Sequence, residues 1–156
     1  MQRTAIPKER RDTELTEKGQ TFEDKVAKWA KSQFGAVAVK RNQLFKTKRL
    51  AQPLQMDIVF RTRGSFMAGD VTWIKCEDRR TNINKSVISE LLDNAQQVKG
   101  KADWVYPDMP VPVRKSDKEW DYLFLVSTAD FDTGAIDFAN KTMWAAIPMM
   151  AVPLGK

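Results

Sequence analysis

The sequence predicts an α/β protein, a mixed sheet sandwiched between helices. Three observations carry that prediction. Apolar residues recur at helical spacing in three stretches, near residues 16–34, 84–98 and 133–142. Between them lie runs of strand character, and one, Asp121–Ser127, is almost continuously apolar, as in a strand covered on both faces. The elements also alternate, in the order helix, three strands, helix, strand, helix, strand, which is the order of a layered α/β protein.

Residues 1–14 are polar, with Pro7 and the mixed charges of Lys8 to Asp12, and read as a mobile basic arm before a single domain spanning 15–156. A helix is predicted from about Thr16 to Phe34, because Phe22, Val26, Trp29, Ala30 and Phe34 fall mostly three or four apart and Gly35 supplies a stop. Ala36–Val39 reads as a strand that runs into the basic stretch Lys40-Arg41-Asn42 and Lys46-Thr47-Lys48-Arg49, a loop or an edge strand. Pro53 precedes a second strand, Leu54–Phe60, in which the acid Asp57 interrupts an apolar pattern. A carboxylate there needs a partner or a solvent face, and Arg61 and Arg63 are the nearest candidates. A turn at Arg63-Gly64-Ser65 leads to the stretch Gly69–Arg80, a short strand ending in dense charge. Strand alternation puts Trp73, Lys75 and Glu77 on one face and Thr72, Ile74 and Cys76 on the other. Asn84 or Ser86 caps a helix that runs to about Val98, with Val87, Ile88, Leu91, Leu92 and Ala95 inward and Gly100 at its end. Residues 101–118, with Pro107, Pro110 and Pro112, have no period and read as an irregular excursion. The last helix, Thr133 to Thr142, presents Ala135, Ile136, Phe138 and Ala139, and the tail from Met143 holds one short strand.

Composition narrows the chemistry. At 156 residues, with 42% hydrophobic and 29% charged, the chain has the make-up of an ordinary soluble globular protein large enough for a real core. No apolar run approaches the roughly 20 residues needed to span a bilayer and no secretory leader is visible, so the expected location is the cytoplasm, with no membrane partner. A lone cysteine, Cys76, makes no internal disulfide, and the absence of histidine excludes the usual zinc sites and every histidine-based triad. Any metal is therefore expected on oxygen ligands. Residues 1–50 hold 13 Lys and Arg against 6 Asp and Glu, whereas the rest is nearly balanced at 13 against 14, and such asymmetry points to a polyanion partner.

Four motifs in order resemble the PD-(D/E)xK nuclease superfamily, in its restriction-endonuclease-like branch of Mrr-type enzymes and Holliday-junction resolvases. Gly19-Gln20-Thr21-Phe22-Glu23 is similar to the family's opening G-x-x-F-E, and Met56-Asp57-Ile58-Val59 to the strand that carries its aspartate. Trp73 to Arg80, W-I-K-C-E-D-R-R, is similar to its W-I-E-C-K-D-R-R strand, and Phe131, Ala135 and Ala139 match its late F-x-x-x-A-x-x-x-A helix. The similarity covers roughly residues 19–148 and implies a restriction-endonuclease-like αβββαβ core. One departure stands out. Where the family has glutamate, any residue, lysine, this chain has Lys75, Cys76, Glu77, the acid and the amine exchanged.

The resemblance implies a Mg²⁺-dependent DNA endonuclease, with Mn²⁺ as a substitute ion. In that reading Asp57 and Glu77 bind the metal, Glu23 completes the site directly or through water, and Lys75, or Lys85 if the role has migrated, supports attack on the phosphodiester. Lys40, Arg41, Lys46, Lys48, Arg49, Arg79 and Arg80 are the candidate phosphate contacts, although basic loops are often simply solvated. Many relatives act as dimers, so a homodimer is expected. The alternative is a catalytically inactive DNA-binding or assembly protein that keeps the fold and has lost the order of the motif. Trp73 either stacks on a base or is buried.

Overall fold

The structure is a computed structural model that describes residues 22–62, 70–101, 104–106, 118–144 and 149–154. The predicted arm 1–14, Gly19 to Thr21 of the opening motif, the turn at Arg63-Gly64-Ser65 and the three prolines of the excursion lie outside the described residues. Helix α1 (22–34) is followed by strands β1 (Ala36–Lys46), β2 (Leu54–Thr62) and β3 (Val71–Glu77). Helix α2 (Lys85–Val98), strands β4 (Trp104–Tyr106) and β5 (Tyr122–Ser127), helix α3 (Thr133–Trp144) and strand β6 (Met149–Pro153) complete the order. Among the described residues no helix is long and apolar enough to cross a membrane.

The strands form one mixed six-stranded sheet in the order β4-β1-β2-β3-β5-β6. β1, β2 and β3 pair antiparallel, whereas β3, β5 and β6 run parallel. Parallel neighbours need a crossover, and α2 and α3 supply the two. Both pack on the same face, in a core that joins Trp73, Leu123 and Leu125 to Ile88, Leu91, Leu92, Ala95 and Ala135. α1 covers the other face through Phe22, Val26, Ala27 and Ala30, packed with Ile58, Phe60, Ile74 and Phe124. The predicted sandwich is thus present in three layers, and β5 is buried from Leu123 to Ser127.

Local signals explain most boundaries. Gly35, at φ 61°, ends α1 in the left-handed conformation that glycine adopts without a Cβ clash, and its N–H closes the last turn onto the Lys31 carbonyl at 3.1 Å. Of the two predicted caps for α2, Asn84 is the one used: its side chain accepts from the Val87 N–H at 3.2 Å, with Ser86 donating to it. Three expectations change. The basic stretch after Val39 continues as β1 to Lys46; the excursion contains the edge strand β4, paired with Leu44 to Lys46; and Ile136, expected to pack, is 45% exposed.

β1 and β2 are irregular at two places. The register shifts between Val37 and Lys40, where Ala38 has φ 53°, and Asn42 has φ 50°. Left-handed backbone is disfavoured for residues with a Cβ and reverses which side chain faces which layer. Across from Asn42 the phase of β2 reverses as well: Met56 packs in the α2 core and Ile58 in the α1 core, although residues two apart in a regular strand share a face. Asp57 lies at the reversal.

Candidate active site

The ladder between β2 and β3 runs from Arg61 opposite Val71 to Ile58 opposite Ile74, and there it stops, while β3 goes on pairing with β5 as far as Glu77 opposite Ser127. Asp57, 5% exposed, fills the place where the strands part. Its Oδ2 accepts the Cys76 backbone N–H at 2.7 Å, doing for that amide what a ladder carbonyl would otherwise do. Gln55 Nε2 donates to its Oδ1 at 3.3 Å, and Lys75 Nζ stands 3.9 Å from Oδ2 and 3.5 Å from the Gln55 carbonyl. The predicted partners are corrected accordingly: Asp57 neither faces solvent nor pairs with Arg61, and Arg63 lies outside the described residues.

Glu23, in the first described turn of α1, lies near enough to Asp57 for the two charges to interact. It pairs with Arg41 of β1, whose Nη2 lies 3.2 Å from its Oε1 while Nη1 binds the neighbouring Asp24 at 3.1 Å. The two acids sense one another: burial, then the Asp57 charge, raises the Glu23 carboxyl above its usual range against the pull of Arg41 and Lys75. Burial likewise raises Asp57, against the pull of Lys75, the Cys76 N–H, Gln55 and Arg41. The Cys76 thiol is pushed far up by burial and by both carboxylates, so no thiolate nucleophile forms here near neutral pH.

The two halves of the exchanged motif separate. Lys75, next after Ile74, is level with Asp57, whereas Glu77 lies about 7 Å further along the strand. Glu77, expected to share an ion with Asp57, pairs with Arg79 at 3.6 Å. It also lines a cleft of roughly 240 Å³ together with Lys75, Glu90, Asn94 and apolar residues of α2 and the sheet. Lys85 is exposed at the start of α2 with its ammonium over the Phe138 ring, 5.7 Å from the centroid. Trp73 is fully buried and stacked on Phe45 at 4.2 Å, out of reach of a base.

The candidate phosphate contacts divide the same way. Lys40, at 1% exposure, is inside the protein, and Arg41 pairs with Glu23 and Asp24 of α1. Lys46 is half-buried within β1. Lys48 and Arg49, in the β1–β2 turn, and Arg80, after β3, are exposed. Because β2 runs against β3, that turn and Arg80 lie at the end of the sheet where Asp57 sits. Arg79 is aimed rather than free: Thr81 Oγ1 accepts from its Nε and Nη2 at 3.2 and 3.1 Å, and Thr128 Oγ1 accepts its backbone N–H at 3.0 Å.

The sequence reading missed Gln55 and the Cys76 amide as partners of Asp57. Gln55 is signalled only by standing two residues from Asp57, and a backbone amide has no signal at all. Among the described residues no three His, Cys, Asp or Glu side chains gather to hold a metal ion. Glu23 and Asp57 are nevertheless hard oxygen donors of the kind a small divalent ion accepts, in sites that it completes with water and substrate phosphate. Comparison with family models, curated proteins and solved structures finds no match to this chain.

Proposed function

We propose that this protein is a divalent-metal-dependent DNA endonuclease with a restriction-endonuclease-like fold, and that its centre is Glu23, Asp57 and Lys75. The observation that supports this most is the pairing of buried Asp57 with the Lys75 ammonium at 3.9 Å where β2 and β3 part, with Glu23 near enough for its carboxyl to feel the Asp57 charge. Such a set restores the two acids and one amine of the resembled motif, with Glu23 taking the place of the displaced Glu77. Asp57, fixed by the Cys76 amide, and Glu23 would hold Mg²⁺ or Mn²⁺. An ion there supplies polarisation of the phosphate and a water of lowered pKa. Lys75, 3.9 Å from Asp57, would offer its ammonium to the charge that builds on the phosphate oxygens. Lys48, Arg49 and Arg80 at the same end of the sheet, with Arg79 beside them, would seat the DNA backbone. A cut through both strands needs two such centres, which is the reason to expect a homodimer.

A second reading has its own support. Lys75 stands 3.9 Å from Asp57 and Arg41 3.2 Å from Glu23, so each acid already has an internal counter-cation. Such a centre also suits a DNA-binding or assembly protein that does not cut. Incubation with linear, supercoiled and branched DNA in Mg²⁺, Mn²⁺ or EDTA separates the two. Metal-dependent products, absent for Asp57→Ala, are the expected result; salt-sensitive binding without products in any metal is the result that favours the second reading.

A further inference from the structure

We infer that Arg41 is a positioning residue of the carboxylate centre, one that fixes Glu23 against Asp57, and not a contact to DNA; the inference rests on the nuclease reading above. Arg41 lies in β1 between two left-handed, non-glycine residues, Ala38 and Asn42. The backbone there is unfavourable for side-chain-bearing residues, and its outcome is specific: Arg41, level with Ile58, turns to the α1 face while Lys40, level with Val59, turns the other way. The guanidinium then forks across two successive carboxylates of α1, Glu23 at 3.2 Å and Asp24 at 3.1 Å. A planar fork with five fixed donors suits that bridging role, which a lysine fills only as a point charge.

Exposure distinguishes the two roles. The Arg41 and Glu23 side chains are 18% and 19% exposed, against 59% for Asp24, and Arg41 Nε is buried without a hydrogen-bond partner. A guanidinium so placed would have to break its inner ion pair to meet a phosphate. The apolar contacts of Phe22, Val26, Ala27 and Ala30 hold α1 on the sheet, and the Arg41 fork adds a directional contact at its first described turn. It also restricts the rotamers of a glutamate that would otherwise lose that freedom on binding an ion.

The test measures Mn²⁺ binding by calorimetry without DNA, and DNA binding in EDTA across a salt series, for the wild type, Arg41→Ala, Arg41→Lys and Asp24→Asn. Arg41→Ala is expected to weaken Mn²⁺ binding about 10–100-fold, the usual effect of losing a residue that orients a metal ligand. Arg41→Lys should recover part of that loss, Asp24→Asn should stay within about threefold of wild type, and DNA affinity and its salt slope should not move. Unchanged or tighter Mn²⁺ binding by Arg41→Ala overturns the inference alone, and a salt slope lower by about one then makes Arg41 a phosphate contact. No Mn²⁺ binding by the wild type overturns the nuclease reading and this inference together. If Arg41→Ala does not fold by circular dichroism, Arg41→Gln replaces it, with the same two outcomes.

Discussion

The two halves of β3 solve different problems with one strand. From Val71 to Ile74 every residue is buried and the backbone is paired on both sides, with β2 and with β5. From Lys75 to Glu77 the strand keeps only β5, its side chains are half-buried, and a carboxylate takes the amide that the departing β2 leaves behind. The first half is where Trp73 holds the α2 face of the core together. The second gives up packing and ladder pairing to bring charge together, at the cost of burying two acids whose ionised forms the protein disfavours. Stability and candidate chemistry are thus set within seven residues, and variants should separate them.

The largest effect belongs to the packed half. Trp73 is fully buried against Phe45 and Trp120, so Trp73→Ala should cost about 3–5 kcal/mol, read from urea or thermal unfolding. A loss of that size is a large share of the stability of a typical domain. In the open half, Asp57→Ala leaves the Cys76 N–H without its acceptor and should cost about 1–3 kcal/mol, with loss of any metal-dependent cleavage. Asp57→Asn keeps an acceptor and removes the charge, so it should lose cleavage while folding at least as well as the wild type at neutral pH.

The pH dependence follows from the direction of the shifts. A carboxyl whose pKa is raised on folding contributes stability that is full below its ordinary range, near 4, and is lost as pH rises through the folded value. The stability advantage of Asp57→Asn over wild type should therefore grow between pH 4 and pH 7, and unfolding curves at both ends check the sign. The smallest effect is at the end of the strand. Glu77 and Arg79 form a partly exposed pair at 3.6 Å, and Glu77→Gln should change stability by about 0.5 kcal/mol or less and leave Mn²⁺ affinity unaltered. A large loss of Mn²⁺ affinity in Glu77→Gln would return that residue to the centre.

Much of the scaffold was legible because single-element patterns decide it. The inward face of α2 and the doubly buried β5 followed from periodicity alone, and Asp57 marked itself as an acid in an apolar strand. The basic stretch after Val39 was not fully legible, because two left-handed residues send Lys40 inward and Arg41 to a helix seventeen and eighteen positions away, and the expected loop or edge strand is an interior strand of the sheet. Gln55 and the Cys76 amide were invisible as site partners for a similar reason: they matter only because β2 and β3 part between them.

By itself the sequence determined which residues alternate, which carry charge and which face of each element is apolar, since strand and helix periods are local properties of the backbone. It determined that Lys75 and Glu77 share a side, and that an acid lies in the strand before them. Only the tertiary structure decided which of the two stands beside that acid. Inter-strand register and the point where a ladder ends depend on contacts between segments far apart in the chain, so Lys75 meets Asp57, Glu23 arrives from α1, and Glu77 is left to Arg79.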